Sequence, residues 1–209
     1  IGCNVTLPLK RDAWQLATQA SEEVSQAQAA NTLNHQPSGW FANTTDGIGL
    51  VTDMTVNHGI SLEGKRILIL GAGGATASVL GSLLERKPKE VLLVNRNLDR
   101  AHSLVARFGA ATNVVVSGWS DLAAQSGFDL VINSTSLGHQ GQAPDLDSSL
   151  FAPAAVCYDL NYYKASLPLK HLCEGMGQAY VDGLGMLVEQ AAASFHIWTG
   201  KRPDSRAVI

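Results

Sequence analysis

The pattern of hydrophobic and polar positions differs between the first sixty residues and the rest of the chain. From residue 63 onward, short and nearly continuous apolar runs are separated by segments of helical spacing. That pattern is typical of a parallel sheet covered by helices on both faces. It predicts strands over 66–70, 91–94, 114–116, 130–132, 156–158 and 179–181, and helices over 75–85, 99–108 and 186–198. We therefore predict an α/β fold built on a doubly wound parallel sheet.

The first sixty residues have a mixed pattern that predicts a smaller region. Apolar positions near helical spacing predict one or two helices over 12–30, the first opening just after Pro8. The stretch 31–41 alternates and is interrupted at Pro37-Ser38-Gly39, which predicts a small hairpin. A further helix is predicted over 46–58.

Composition and charge narrow the class of protein. The chain has 209 residues, of which 45% are hydrophobic and 16% charged, and a net charge of −3. These values are those of an ordinary globular protein with no general attraction to nucleic acid or to an anionic membrane. Apolar runs long enough to cross a bilayer are absent from the sequence.

Cysteine and histidine usage adds two expectations. The three cysteines, Cys3, Cys157 and Cys173, have no Cys-x-x-Cys spacing, which favours a reducing compartment over a disulfide framework or a zinc site. The six histidines are scattered and predict no metal centre. We expect a cytoplasmic protein.

A glycine-rich segment follows the first predicted strand of the larger region and opens a helix. A tight strand-to-helix turn, close backbone approach and exposed helix N–H groups are what a dinucleotide pyrophosphate requires. Glycine-rich turns occur in many folds, but a strand before, a helix after and a second strand about twenty residues on make an ordinary turn a poor explanation. The cofactor-binding residues predicted here are Gly71, Ala72, Gly73, Gly74 and Ala75.

The end of the next predicted strand indicates which dinucleotide binds. NAD sites place an acidic residue there to hold the ribose 2′-hydroxyl. Here the sequence has Asn95-Arg96-Asn97, with Arg100 one helical turn later, and we predict that these four residues bind the cofactor. Guanidinium groups suit a 2′-phosphate, so we predict NADP, with ordinary surface arginines as the alternative.

Three polar segments in the first region could serve a ketone reduction, which needs a proton donor and groups that orient the substrate. They are the stretch ending in Lys10, the pair Asn31-Thr32, and Thr45-Asp46-Gly47. Each alone has a structural explanation: a solvated lysine, a turn and a helix cap.

In this order, however, the segments resemble the shikimate dehydrogenase family. The resemblance covers essentially the whole chain and rests on Asn4-Val5-Thr6-Leu7-Pro8-Leu9-Lys10, Asn31-Thr32, Thr45-Asp46-Gly47, Gly71-Ala72-Gly73-Gly74-Ala75, Asn95-Arg96, Asn133-Ser134-Thr135-Ser136, Tyr158-Asp159-Leu160-Asn161-Tyr162 and Asp182-Gly183 through Ala192. It implies NADP-dependent interconversion of 3-dehydroshikimate and shikimate. It also implies a Rossmann nucleotide domain beside an α/β substrate domain.

The resemblance assigns roles to individual residues. Lys10 and Asp46 are the implied catalytic pair, in which Lys10 exchanges a proton with the substrate oxygen and Asp46 binds the same group and holds the ammonium. The implied substrate-binding residues are Thr6, Asn31, Asp46, Tyr162 and Gln190. Leu160 and Gly183 are implied to lie beside the nicotinamide half of the cofactor.

The same resemblance predicts the domain division. Residues 1–60, completed by the helix in 184–209, are the expected substrate domain, and residues 61–183 the expected NADP-binding domain. We expect the family's upstream Ser-x-Ser segment to be missing, which would leave the substrate domain incomplete. We also expect a monomer or homodimer. The alternatives are an NAD-dependent quinate/shikimate dehydrogenase, a nucleotide-binding module without catalysis, and a methylenetetrahydrofolate dehydrogenase.

Overall fold

Two compact units make up the protein, whose computed structural model describes residues 2–109 and 112–209. The first unit comprises the residues up to Ile60 together with Gly74–Glu85 and Gly185–Ile209. The second comprises Ser61–Gly73 and Arg86–Leu184. The assignment of substrate and nucleotide roles to separate domains stays a prediction.

The described residues contain ten strands and seven α-helices. The strands are β1 (Gly2–Asn4), β2 (Gln19–Ala20), β3 (Thr32–Gln36), β4 (Gly39–Asn43), β5 (Arg66–Leu70), β6 (Glu90–Val94), β7 (Val114–Ser117), β8 (Phe128–Asn133), β9 (Phe151–Asp159) and β10 (Ala179–Val181). The α-helices are α1 (Lys10–Leu16), α2 (Glu22–Ala27), α3 (Asp46–Thr52), α4 (Gly74–Leu84), α5 (Leu98–Val105), α6 (Leu167–Met176) and α7 (Leu184–Thr199).

A small mixed sheet, in the order β1-β3-β4-β2, organises the first unit. Strands β3 and β4 are antiparallel with Gln36 opposite Gly39, so a two-residue loop joins them and the predicted hairpin is confirmed. Gly39 has a φ of +114°, a backbone conformation that residues with a Cβ rarely adopt. A core of Ala13, Val24, Ala30, Leu33 and Ala42 packs on this sheet.

The helices of the first unit differ in detail from the predicted ones. The stretch 12–30 is two helices separated by β2, which pairs in parallel with β4. The helix predicted over 46–58 begins at Asp46 and continues beyond α3 as one π-helical segment, Asp53–Asn57. A single π-helical turn does not change the spacing of hydrophobic residues enough to be recognised, so the sequence pattern could not predict it.

The second unit contains a six-stranded sheet in the order β10-β9-β8-β5-β6-β7, parallel throughout. The chain runs outward from β5 through β6 to β7, then returns to β8 and runs outward the other way. This reversal between β5 and β8 is the switch point of a doubly wound sheet, and the predicted α/β class is confirmed.

Buried apolar side chains explain why these strands form. Residues 67–70 of β5 and 91–94 of β6 are all buried, as expected for central strands with helices on both faces. Leu70, Val94 and Asn133 align across the sheet, and Asp159 lies opposite Asn133. The carboxyl ends of four strands therefore meet at one edge.

Helix α6 was not predicted from the apolar pattern. Pro168 lies in its first turn, and Gly177 follows its end with a φ of +68°. Proline at the start and a left-handed glycine after the end are ordinary helix boundary signals. Among the described residues, none of the helices is both long and apolar enough to cross a membrane.

Candidate active site and nucleotide-binding loops

Lys10 and Asp46 form a buried ion pair in the first unit. Lys10 is the first residue of α1 and Asp46 the first residue of α3. The Lys10 Nζ lies 2.5 Å from Asp46 Oδ2, and the two side chains are 13% and 6% exposed. An ammonium held against a carboxylate and largely shielded from solvent can exchange a proton with a ligand while its position stays fixed.

Asn31 joins this pair to helix α7. Its side-chain Nδ2 donates to Asp46 Oδ1 at 3.0 Å and to Gln190 Oε1 at 2.9 Å. Lys10, Asp46, Asn31 and Gln190 therefore form one connected hydrogen-bonded group, which we call the Lys10 cluster. Four residues predicted from distant parts of the sequence are brought together in it.

Three hydroxyl groups next to the Lys10 cluster, those of Thr32, Thr45 and Ser194, form hydrogen bonds with one another. The Ser194 Oγ is 2.7 Å from Thr32 Oγ1 and 3.0 Å from Thr45 Oγ1, and all three residues are buried. Thr45 and Thr32 also donate to Asn31 Oδ1, at 2.8 and 3.0 Å, through the Thr45 backbone N–H and the Thr32 hydroxyl. With its carbonyl oxygen occupied in this way, the Asn31 amide group has to present Nδ2 to Asp46 and Gln190.

Two predicted substrate-binding residues lie outside this cluster. The Thr6 side chain is exposed and joins no hydrogen bond of the cluster within the described part of the chain, while its carbonyl accepts from Leu9 N. Tyr162 belongs to the second unit, where it is 38% exposed and meets the edge of Tyr163 with ring centroids 5.4 Å apart.

The predicted glycine-rich loop lies between β5 and α4, at the switch point of the large sheet. Gly71 has a φ of +100°, and a Cβ there would lie 3.2 Å from the Ser134 carbonyl oxygen. At Gly73 a Cβ would meet nothing within 4 Å. The loop is thus tight where it passes β8 and open at Gly73, as approach of a pyrophosphate requires. Gly74 and Ala75 are the first two residues of α4.

Asn95 and Asn97 shape the neighbouring connection between β6 and α5. The Ala72 N–H donates to Asn95 Oδ1 at 3.1 Å, and Asn95 Nδ2 donates to the Asn97 carbonyl at 2.7 Å. Asn97 caps α5 by accepting from the Arg100 N–H at 2.8 Å. These two asparagines therefore hold the loops in place through protein contacts.

Arg96 and Arg100 are exposed at the same edge of the sheet. Within residues 2–109 and 112–209, neither guanidinium forms an ion pair with a carboxylate. Two uncompensated positive charges beside a dinucleotide loop are suited to an additional phosphate.

Leu160 and Gly183 are adjacent in the second unit. The Leu160 N–H donates to the Asn133 carbonyl, and the Gly183 N–H donates to the Asn161 carbonyl, both at 2.9 Å. A Cβ at Gly183 would lie 2.6 Å from the Leu160 carbonyl oxygen, so only glycine fits this approach. The structure thus brings together the two positions that the resemblance assigned to the nicotinamide half.

Comparison with curated proteins decides the family. The chain is 46% identical over 209 residues to a shikimate dehydrogenase (NADP(+)) of Alkalilimnicola ehrlichii, covering all of this chain and 77% of that protein. It is 43% identical over 210 residues to a shikimate dehydrogenase (NADP(+)) of Coxiella burnetii, again covering 77% of the relative. The chain belongs to the shikimate dehydrogenase family.

Two family models and several solved structures agree with this assignment. Residues 54–140 match the model described as Shikimate / quinate 5-dehydrogenase, and residues 183–209 match the Shikimate 5'-dehydrogenase C-terminal domain. An enzyme from Pseudomonas putida is similar with a TM-score of 0.92 and 40% identity, over 99% of this chain and 76% of that one. Shikimate 5-dehydrogenase from Thermus thermophilus, in complex with NADP(H) and shikimate, is similar with a TM-score of 0.82 and 31% identity, over 98% and 75%.

No role was predicted for the hydroxyl groups of Thr32, Thr45 and Ser194 beside the Lys10 cluster. One signal was available for Ser194, which lies four residues after Gln190 on α7 and therefore on the same helix face. The contacts of Thr45 depend on how β3 and β4 pair, which the pattern alone does not determine.

Metal-binding groups of three or more His, Cys, Asp or Glu side chains are absent from the described residues.

Proposed function

We propose that this member of the shikimate dehydrogenase family catalyses the reversible, NADP-dependent reduction of 3-dehydroshikimate to shikimate. The observation that carries the proposal is the buried Lys10–Asp46 pair, tied through Asn31 to Gln190. The relatives named as shikimate dehydrogenase (NADP(+)) cover the whole chain and support it. Neither the NAD-dependent alternative nor the inactive module is favoured.

Lys10 is the proposed proton donor and acceptor. In the reductive direction the ammonium gives a proton to the ketone oxygen, and in the oxidative direction the neutral amine removes the proton from the hydroxyl. General acid–base catalysis of this kind contributes a factor of about 10² to 10⁴ in rate. The hydride at the substrate carbon would come from, or go to, the nicotinamide of a bound cofactor.

Asp46 has two proposed tasks in the same step. Its Oδ2 holds the lysine ammonium, which removes the rotational freedom of a long side chain. Its Oδ1 accepts from Asn31, so the carboxylate cannot turn away when a substrate hydroxyl approaches. We propose that Asn31, Gln190, Thr6 and Tyr162 contact the remaining polar groups of the substrate.

The nucleotide is proposed to lie along the loops after β5 and β6. The open backbone at Gly73 fits a pyrophosphate, and the guanidinium groups of Arg96 and Arg100 fit a 2′-phosphate. Leu160 and Gly183 are the proposed contacts of the nicotinamide half. The residues present therefore fit NADP better than NAD.

We also propose a cytoplasmic monomer or homodimer whose partner is a small molecule, with no nucleic acid or membrane partner. Cys3, Cys157 and Cys173 are all free thiols, which is consistent with a reducing compartment. The net charge of −3 offers no attraction for polyanions. Light scattering of the purified protein would determine the number of copies in the assembly.

Absorbance of the reduced nicotinamide during shikimate oxidation tests the function directly, with NADP and NAD measured side by side. Turnover with NADP that exceeds turnover with NAD is the expected result. A preference for NAD would indicate the quinate/shikimate alternative. Absence of turnover with either cofactor, together with retained binding of adenosine 2′,5′-bisphosphate, would indicate a nucleotide-binding module without catalysis.

A further inference from the structure

A buried carboxylate, Asp159, ends strand β9 and directly precedes Leu160, a proposed contact of the nicotinamide half. It is fully buried, and it lies opposite Asn133, the last residue of β8. Its Oδ1 accepts from Asn133 Nδ2 at 2.9 Å, from the Asn161 backbone N–H at 3.0 Å and from Asn161 Nδ2 at 2.8 Å. Its Oδ2 accepts from the Tyr180 hydroxyl at 3.3 Å.

These contacts close a ring that links the loops after β8 and β9. Asn161 Nδ2 donates to the Thr135 carbonyl at 3.1 Å. Thr135 in turn donates to Asn133 Oδ1, through its backbone N–H at 3.1 Å and its hydroxyl at 2.8 Å. We call Asn133, Thr135, Asp159 and Asn161 the Asp159 ring.

The Asp159 ring holds the backbone on which Leu160 and Gly183 depend. Leu160 lies between Asp159 and Asn161 and donates to the Asn133 carbonyl. Gly183 donates to the Asn161 carbonyl and packs against the Leu160 carbonyl. A shift of either loop would therefore move both positions together.

Ionisable groups surround Asp159 on several elements of the second unit. Tyr180 faces it from β10, Asp182 follows that strand, Cys157 lies on β9 itself, and Cys173 and Glu174 lie on α6. Burial raises the pKa of Asp159 from 3.8 to about 6, against the lowering effect of its hydrogen bonds from Asn161, Asn133 and Tyr180. These neutral donors offset part of the cost of burying the negative charge, and burial outweighs them.

We propose that Asp159 is a positioning residue for the reaction, whose ionised carboxylate holds Leu160 and Gly183 in place through the Asp159 ring and releases them when it is protonated. The inference rests on the proposed function, because those two positions matter only if they face the nicotinamide. Hydrogen bonds to a carboxylate are about twice as strong as those to a neutral group, so protonation weakens three contacts of the ring at once.

Activity and folding should respond to pH in opposite directions. Because the pKa of Asp159 is higher in the folded protein than its ordinary value, the folded state binds the proton more readily between pH 3.8 and about 6. Ionised Asp159 therefore lowers stability above pH 6, and this cost disappears as the pH falls towards 4. Turnover, in contrast, should decrease as the pH falls through about 6.

The first variant to measure is Asp159→Asn, with Asp145→Asn, an exposed aspartate of the same unit, as the matched control. Turnover of shikimate at pH 8 should fall by about tenfold or more in Asp159→Asn, because the charge-assisted contacts are lost. The decrease near pH 6 should disappear from its pH profile. The affinity for adenosine 2′,5′-bisphosphate should stay at the wild-type value, and the control should match the wild type throughout.

Tyr180→Phe gives an independent test that keeps the shape of the core. It removes one donor to Asp159 and should raise the pKa of this carboxyl further, so the decrease in turnover should move to higher pH while the plateau stays near the wild-type rate. If Asp159→Asn does not fold, this shift alone decides.

Wild-type turnover and pH profile in Asp159→Asn, or an unmoved profile in Tyr180→Phe, would overturn the inference. Absence of shikimate turnover in the wild type would overturn the proposed function instead.

Discussion

At the scale of single residues, we propose that the guanidinium groups of Arg96 and Arg100, beside the glycine-rich loop, govern the choice of cofactor. Arg96 and Arg100 are exposed and have no carboxylate partner in the described part of the chain. Asn95 and Asn97 are occupied with backbone groups of the loops and with the start of α5. The asparagines thus hold the loop, and the arginines remain available for a phosphate.

Arg96→Asp should shift the preference from NADP towards NAD. A carboxylate at this position repels the 2′-phosphate and can accept from the 2′-hydroxyl of NAD, so the ratio of kcat/KM for NADP to that for NAD should fall by about tenfold or more. Arg86→Asp, at an exposed arginine that follows α4, is the charge-matched control. An unchanged ratio in Arg96→Asp would contradict the assignment of Arg96.

Residues differed in how far the sequence revealed their roles. Lys10 and Asp46 are 36 positions apart, and spacing alone gave each an ordinary structural explanation. The family resemblance paired them, and the hairpin of the first unit lies between them in sequence. Asp159 stood within a quoted motif without a role, because its contacts with Asn133 and Tyr180 depend on the pairing of β9 with β8 and with β10.

At the scale of elements, the long apolar strands and helices followed from the pattern, and short or irregular elements did not. Strands β5 and β6 and helix α7 lie within two residues of their predicted bounds. Strand β2 has only two residues, which is too short for an alternation of apolar and polar residues to predict a strand. Strand β1 likewise depends on its pairing with β3.

The connection between β10 and α7 offers a test at this scale. Gly183→Ala would place a Cβ 2.6 Å from the Leu160 carbonyl oxygen, so the loop must move at a cost of about 1–3 kcal/mol. We expect weaker NADP binding and a decrease in kcat/KM for shikimate of about tenfold, measured by steady-state kinetics.

Gly175→Ala is the matched control for that substitution. Gly175 lies in α6, where a Cβ would meet nothing within 4 Å. Alanine is the better helix former, so this variant should keep full activity and gain about 0.5–1 kcal/mol in the free energy of unfolding. Equal kinetics for both variants would show that the close approach at Gly183 has no bearing on catalysis.

At the scale of the whole molecule, the α/β class was predictable because parallel strands buried on both faces leave a strong apolar signal. The strand order and the division into two units were not accessible to pattern analysis, since both depend on contacts distant in sequence. Helix α4 shows this well, because it follows β5 directly yet groups with the first unit. The proposed chemistry rests on the first unit, and the proposed 2′-phosphate contacts rest on the second.

A comparison of the wild type with Lys10→Ala tests the central claim most directly. Shikimate-dependent formation of NADPH should fall by about 10² to 10⁴ in kcat, because the proton acceptor is lost. Affinity for adenosine 2′,5′-bisphosphate should stay unchanged, since that ligand probes the loops near Arg96. Lys170→Ala, an exposed lysine on α6, should behave as the wild type. Wild-type turnover in Lys10→Ala, or a parallel loss of nucleotide affinity, would contradict the account.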